Sequence, residues 1–213
     1  MRITLFIILL STSIFGQTKV DSIFSIKFPT KPEKFEISKK AENGIGYFYN
    51  NENDSFIAMS LKTDKGESEF KNNLPNLKSL RKAYEKMIDL QIQAMRKKQF
   101  IFKDSTEIKI NDFIGYKLTY QDENSENQNA ESILFLINGI NFIATYSRVN
   151  KYNNENKNKF LNSIKINTSN NPEQLAEAYN LKENLLGIIL KGIFVFGIFY
   201  VLKKYKKTTG NTV

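Results

Sequence analysis

Alternating apolar and polar positions near the start of the chain predict a series of short β-strands. In the segment "SIFSIKFP", Phe24, Ile26 and Phe28 alternate with polar residues, as in a strand with one buried face, and Pro29 ends the segment. The segments "KFEIS", "GIGYFYN" and "SFIAMSLK" follow, and the polar turn "NENDS" between the last two predicts a hairpin. One face of the last predicted strand carries Ile57, Met59 and Leu61.

The spacing then changes to steps of three and four residues, which predicts an amphipathic helix. Its apolar stripe consists of Leu77, Leu80, Tyr84, Met87, Ile88 and Met95. Basic residues occupy most of the remaining surface, namely Lys78, Arg81, Lys82, Lys86, Arg96, Lys97 and Lys98. Such a face is either solvated or in contact with an acidic partner or lipid headgroups.

A second series of strands follows the helix. The segments "IFKDSTEIKI" and "FIGYKLTYQ" lead to "SILFLINGINFIATYSRV", in which Asn138-Gly139 fits a type I′ turn between two apolar strands. A short helix at about residues 154–163 buries Phe160 and Leu161, and "SIKIN" forms a last strand. This order predicts an α+β domain with a mainly antiparallel sheet that is covered by a long and a short helix.

The predicted domain resembles the PsbP/Mog1-type fold in three places. These are the opening "FSIKFP", the helix ahead of a β-meander, and the closing "NKFLNSIKI", within about residues 20–168. The resemblance implies the same α+β architecture. Proteins of this fold are mostly binding or assembly factors, so it also implies a binding role, and it carries over no functional residue.

The first residues, "MRITLFIILLSTSIFGQ", have the layout of a secretory signal peptide. Arg2 precedes an apolar run from Ile3 to Leu10, and small and polar residues lead to a cleavage site near Gly16. The alternative is an uncleaved anchor, but this run is short for a bilayer that needs about 20 apolar residues. We therefore predict a signal peptide at 1–16 and an exported domain at 17–168.

A second apolar run, residues 185–202, is long enough for a transmembrane helix and contains one charged residue, Lys191. Four lysines determine its topology, because lysines beside a span stay on the cytoplasmic side. They are Lys203, Lys204, Lys206 and Lys207. The sequence thus predicts a single-pass protein of the plasma (inner) membrane. A juxtamembrane linker or helix at 169–184 precedes the span, and a basic tail at 203–213 lies in the cytoplasm.

Lys191 has two interpretations. It lies six residues after Leu185, so its long side chain can reach the outer interface and keep the ammonium group hydrated. Alternatively, it pairs with a carboxylate on the membrane helix of a partner, since a lysine within the bilayer costs about 2.5–3.5 kcal/mol. The second interpretation makes Lys191 an intramembrane contact with an envelope membrane-protein complex.

The formal charge of +9 does not indicate nucleic-acid binding, because much of it flanks the membrane segments. Without the six basic residues of the leader, span and tail, 25 basic residues face 22 acidic ones. The domain itself is therefore only weakly basic, and we predict no nucleic-acid partner.

Composition also narrows the possible chemistry. The chain has no Cys and no His, which excludes disulfides, thiolate or imidazole metal sites, and Ser-His or Cys-His nucleophiles within it. Nor does it contain a phosphate-binding loop or a nucleophile-elbow motif. We therefore predict no catalytic site, no bound metal and no cofactor.

Two weaker candidates for a site come from the strands and loops. The loop "DENSENQNAE" offers Asp122, Glu123 and Glu126 as oxygen ligands for Ca²⁺, but it lacks the glycine and terminal glutamate of an EF-hand and also fits a flexible hairpin loop. Five tyrosines on predicted strands either pack in the core or line a ligand groove. They are Tyr47, Tyr49, Tyr116, Tyr120 and Tyr146.

These features favour a non-enzymatic, membrane-anchored binding or assembly module of the cell envelope. One alternative is a small-ligand carrier or enzyme that uses a groove between sheet and helix. Another is a structural envelope protein without a dedicated ligand.

Overall fold

The computed structural model describes residues 16–39, 42–63, 74–123, 128–148 and 152–176, which form ten strands and two helices. Five strands come first: β1 (Thr18–Lys19), β2 (Phe24–Ile26), β3 (Glu33–Lys39), β4 (Glu42–Asn50) and β5 (Asp54–Thr63). The helix α1 (Leu77–Arg96) precedes β6 (Phe100–Ile110), β7 (Phe113–Asp122), β8 (Gln128–Ile137) and β9 (Ile140–Arg148). The helix α2 (Asn154–Leu161) and β10 (Lys165–Ile166) complete the described elements. The predicted order and the α+β class are confirmed.

All the described strand pairs are antiparallel, and they form two sheets. The large sheet has seven strands in the order β3-β4-β5-β9-β8-β7-β6, and the small sheet has the order β1-β2-β10. The small sheet is a departure from the sequence-based picture of a single sheet. In it, β2 is the middle strand and pairs with β1 on one side and β10 on the other. Phe24 of β2 lies opposite Ile166 of β10.

Two tight turns fix the register of the β8–β9 hairpin in the middle of the large sheet and of the β6–β7 hairpin at its edge. Asn138 and Gly139 have φ angles of 51° and 71°, as the type I′ prediction requires. Asn111 and Asp112, between β6 and β7, also have positive φ angles, of 48° and 66°. Short polar side chains tolerate this left-handed region better than other non-glycine residues.

One side of the large sheet, here called the sandwich face, packs against the small sheet and α2. Aromatic rings dominate this core: Phe24 stacks on Phe142 with ring centroids 4.3 Å apart, and Phe160 of α2 lies edge-on to Phe28 and Phe56. All five of these side chains are at most 2% exposed. The predicted burial of Phe24, Phe28 and Phe160 is therefore confirmed.

The opposite side, here called the helix face, packs against α1. Leu80, Tyr84 and Met95 of the helix are buried there against residues of β7 and β8. Gln91 is also buried, and its amide nitrogen donates to Ser132 on β8 at 3.1 Å and to Thr145 on β9 at 3.3 Å. The first residue of the predicted apolar stripe, Leu77, instead begins the helix and remains 42% exposed.

The side chains of β5 are buried to different extents on the two faces of the sheet. Ile57, Met59 and Leu61 share one face, as the sequence predicts, but this is the helix face and all three are only partly buried. The fully buried set on β5 is Phe56, Ala58 and Ser60, on the sandwich face. Alternation alone did not reveal this difference, because both sets consist mostly of apolar residues.

Side chains replace backbone pairing where β7 begins and β8 ends. The hydroxyl of Tyr84 accepts from the N–H of Leu136 at 2.8 Å and donates to the carbonyl of Ile114 at 2.6 Å. The amide of Gln174 accepts from the N–H of Ile114 at 2.7 Å and donates to the carbonyls of Ile114 and Leu136 at 2.7 and 3.0 Å. Leu175 packs against the helix-face core. The segment after β10 is thus fastened to the helix face.

The predicted membrane segments lie outside the described residues, except for Gly16 at the end of the predicted leader. The same holds for Lys191 and for the lysines of the tail, Lys203, Lys204, Lys206 and Lys207. Within the described ranges, neither α1 nor α2 is long and apolar enough to cross a membrane.

Candidate interaction surface

Six apolar side chains cover the helix face over β3, β4 and β5. The strand register places Phe35 and Ile37 of β3 beside β4, and Phe48 of β4 opposite Ile57 of β5. Together they form the floor of the surface: Phe35, Ile37, Phe48, Ile57, Met59 and Leu61. Each is partly buried, and the two cores built from the described residues include none of them.

Two glycines bring this floor close to the backbone of β4. A Cβ atom on Gly46 would overlap the ring of Phe35, and one on Gly44 would lie 2.7 Å from Cδ2 of Leu61. Phe35 and Leu61 therefore lean over β4 from its two neighbours. The Gly-x-Gly spacing in "GIGYFYN" was the sequence signal for this close approach, because glycine within a strand often marks such contacts.

The flank of α1 that borders this floor is also apolar. Arg81 reaches Glu107 on the edge strand β6 at 3.2 Å, which fixes the flank of the helix that faces that edge. At 100° per residue, the opposite flank carries Ala83, Met87, Leu90 and Ala94. Leu90 is 63% exposed, the highest value among the exposed large apolar side chains of the described residues. We call the six floor residues and these four wall residues the slot.

The strand spacing puts the middle of the floor about one helix-packing distance from α1. Near Gln91, α1 lies over β8 and β9, since its side chain contacts both strands. Neighbouring strands are about 4.8 Å apart. The midline of the β4–β5 pair is therefore about 10 Å from the midline of the β9–β8 pair, over which α1 lies. Packed helices have axes about 8–10 Å apart. A second helix beside α1 would therefore lie on the six apolar residues.

A cavity of about 400 Å³ lies on the sandwich face, between the loop after β1 and the ends of β3, β4 and β5. Asp21, Glu36, Asn43, Ser60 and Lys62 are among its lining residues. The carboxylate of Asp21 accepts from the backbone N–H groups of Ile23 and Phe24 at 2.6 and 2.7 Å, and from the hydroxyl of Ser60. These hydrogen bonds hold the loop after β1 in place, so the carboxylate of Asp21 has a structural role.

A second polar cluster joins α2 to the large sheet. Asp54 is 5% exposed, and its carboxylate accepts from the hydroxyl of Tyr146 at 2.6 Å and from the amide of Asn156 at 2.9 Å. Arg148 lies 3.6 Å from the same carboxylate, and Lys157 of α2 pairs with Glu131 at 3.4 Å. Two carboxylates thus face two cations, which balances the buried charge.

The tyrosine of this cluster is not a base. Burial raises the pKa of Tyr146 above its usual range, and the hydrogen bond to Asp54 raises it further. At neutral pH the hydroxyl is therefore protonated and donates to the carboxylate. The cluster has the properties of a structural joint between α2 and β9.

The tyrosines predicted for the core or for a ligand groove divide between the two faces of the sheet. Tyr120 and Tyr146 are fully buried, and burial is the first cause of a raised pKa in both. Tyr47 and Tyr49 are partly buried against the sandwich-face core, and Tyr116 is partly buried against the helix-face core. The core interpretation holds for Tyr120 and Tyr146, and none of the five contributes to the slot.

The structure brings together few of the residues singled out in the sequence. Asp122 ends β7 and Glu123 follows it, whereas Glu126 lies outside the described residues. Within the described ranges, no group of three acidic side chains is arranged to hold a metal ion. The intramembrane candidate Lys191 lies outside these ranges, so its partner stays a prediction.

Neither the protein-family models nor the curated protein sequences match this chain. The resemblance to the PsbP/Mog1-type fold therefore stays a prediction that rests on the segments "FSIKFP" and "NKFLNSIKI" and on the helix ahead of the β-meander.

Proposed function

We propose that this protein is a non-enzymatic, membrane-anchored binding or assembly module of the cell envelope. Its domain binds an apolar-faced helix of a partner membrane protein in the slot. The anchor is the apolar run 185–202, and the leader at 1–16 directs export of the domain. The binding tendency of PsbP/Mog1-type proteins, which this chain resembles, agrees with this role.

The slot is the observation that carries the proposal. Six floor residues are apolar, yet the cores of the described residues do not include them. Contiguous apolar surface with exposed polar surroundings is typical of protein interaction sites. A groove between a helix and a sheet is also a recurrent receptor for amphipathic helices, whose anchors repeat at three and four residues.

The cavity beside Asp21 is the specific observation in favour of a second function, a small-ligand carrier. Its volume of about 400 Å³ lies within the range of ligand pockets. It is on the sandwich face, however, whereas the sequence suggested a groove between sheet and helix. The hydrogen bonds of Asp21 are also internal, so the slot is the better candidate.

The topology can be measured with single cysteines, since the chain has none of its own. Glu52→Cys on the exposed β4–β5 turn and Thr208→Cys in the tail would be labelled in intact spheroplasts with a membrane-impermeant maleimide. The proposal expects labelling of the Glu52→Cys protein alone. Labelling of the Thr208→Cys protein alone would place the domain in the cytoplasm and refute export.

The slot itself can be tested by photocrosslinking in cells. A photoreactive phenylalanine derivative replaces Phe48 in the slot or, as a control, Ile101, an apolar residue that is 43% exposed on the edge strand β6. We expect a discrete adduct from position 48 only, and its loss when Met59→Lys places a charge on the floor. Equal adducts from both positions, or an adduct that survives Met59→Lys, would rule out the slot as the binding surface.

A further inference from the structure

We propose that the outer face of α1 lies on a bilayer surface that contains anionic phospholipid. This inference rests on the proposed membrane anchor and adds the orientation of the domain. We define the basic outer face by exposed basic side chains of α1 and of the turn that follows it, which are Lys78, Lys82, Lys86, Arg96, Lys97 and Lys98.

The last described residues lie on the helix face of the large sheet, which is also the face that carries α1. Gln174 is 5% exposed and is held by Ile114 and Leu136, and Leu175 packs in the helix-face core. Eight residues, 177–184, separate Ala176 from the predicted span. Fully extended, the nine steps from Ala176 to residue 185 reach at most about 32 Å. The side that carries α1 is thus the one from which a short tether starts.

Three lysines of this face form a column of like charges. Lys78, Lys82 and Lys86 follow each other at four-residue steps, so their side chains are neighbours on the helix surface. Like charges at this spacing each cost a few tenths of a kcal/mol, about as much as an opposite pair contributes. An anionic surface would remove this repulsion.

The other basic side chains of the face increase the excess of positive charge. Six basic residues face two acidic ones, Glu85 and Asp89, on the exposed surface of the same segment. Within the described ranges, Arg81 is the one basic side chain of α1 that forms an ion pair. A lysine or arginine close to an anionic membrane contributes about 1 kcal/mol to binding.

The helix α2, on the sandwich face, provides the contrast. Both of its lysines have carboxylate partners: Lys157 pairs with Glu131 at 3.4 Å and Lys159 pairs with Glu155 at 2.6 Å. Its charge is therefore neutralised within the domain, whereas that of α1 is presented to the outside. Leu90, 63% exposed beside the basic face, adds an apolar group that can enter the headgroup region.

The full chain is reconstituted into vesicles, each variant carrying one cysteine labelled with an environment-sensitive fluorophore. Gln93→Cys places the probe on the outer face of α1 without removing a charge, and Asn158→Cys places it on exposed α2 as a matched control. The vesicles contain phosphatidylcholine alone or phosphatidylcholine with phosphatidylglycerol. Flotation after alkaline extraction shows separately whether the chain has inserted, so a failed anchor is recognised as such.

We expect a blue shift of the Gln93→Cys probe in the anionic vesicles, and its loss at high salt and in the triple variant Lys78→Gln, Lys82→Gln, Lys86→Gln. The Asn158→Cys probe should stay unchanged throughout. In inserted protein, equal spectra at the two positions, or a shift that persists in the triple variant, would overturn the proposal. A shift that occurs only in native membranes and not in the phosphatidylglycerol vesicles would assign the basic face to an acidic protein instead.

Discussion

The two faces of the large sheet differ in how completely they are covered. The sandwich face packs against the small sheet and α2 from β5 across to β8, and its aromatic side chains are almost fully buried. The helix face has one described helix, which buries residues of β7 and β8 but leaves those of β3, β4 and β5 partly exposed. A seven-stranded sheet is about 29 Å wide, whereas a helix covers only about 10–12 Å. The difference shows that the tightly packed core lies on the sandwich face, whereas the helix face keeps partly exposed apolar surface.

The largest effect is expected from a cavity in the covered face. Phe142→Ala removes a ring that is 0% exposed and stacks on Phe24. Truncation of a buried phenylalanine costs about 3–5 kcal/mol, so the domain should lose most of its stability. Urea unfolding of the full chain in detergent, followed by circular dichroism, measures the change. A loss under about 1 kcal/mol would mean that this face is not a tightly packed core.

Alkaline pH should act next most strongly, through buried tyrosines on both faces. Burial is the first cause of the raised pKa of Tyr84, Tyr120 and Tyr146. A pKa that is higher in the folded state than its unfolded value of 10.0 gives stability that is complete below pH 10 and decreases above it. All three groups act in the same direction, so the domain should lose stability steadily above about pH 10.

The measurement is urea unfolding at a series of pH values, with tyrosinate absorbance as the second signal. Tyr120→Phe is the control, and its stability should fall less steeply with pH. Ionisation of all ten tyrosines near pH 10 without loss of structure would contradict the buried positions of these three.

A smaller effect is expected where side chains link β7 to β8. Tyr84→Phe removes the hydroxyl between the N–H of Leu136 and the carbonyl of Ile114. A buried donor that loses its partner costs about 1–3 kcal/mol. Hydrogen exchange at the amide of Leu136 should accelerate, while that of Phe142 on the neighbouring strand should change only with global stability. Unchanged exchange at Leu136 would show that the hydroxyl is dispensable.

The smallest effect should come from the uncovered part of the helix face. Phe48→Ala deletes a ring that is only partly buried, so the expected loss is about 1 kcal/mol or less. Phe142→Ala is the matched substitution on the covered face, and both are measured by the same urea titration. Equal losses for the two would mean that Phe48 belongs to a core, and the slot would then be no binding surface.

The sequence predicted element types well because the local signals agreed. Asn138-Gly139 specified a turn, and the step of three and four residues from Leu80 to Met95 specified a helix. The sequence did not predict which face of β5 is covered, because Phe56 and Ile57 are both apolar and only tertiary contacts distinguish them. The slot was missed for the same reason, although Gly44 and Gly46 marked its closest approach.

Buried polar residues were the other class that sequence patterns did not reveal. Glutamine side chains are mostly exposed in proteins, yet Gln91 and Gln174 are both buried and hydrogen-bonded to distant strands. The charged cluster around Asp54 joins residues 92 and 102 positions apart in the chain, which no local pattern records.

The attachment of Gln174 has a mechanical consequence. A pull on the chain beyond Ala176 reaches the domain at a side chain that is bonded to both β7 and β8. The load is then shared by several hydrogen bonds at once, and it acts on two inner strands rather than peeling the short β10 from the small sheet. The side chain of Gln174 thus protects this end of the domain against unfolding whenever the chain beyond it is pulled.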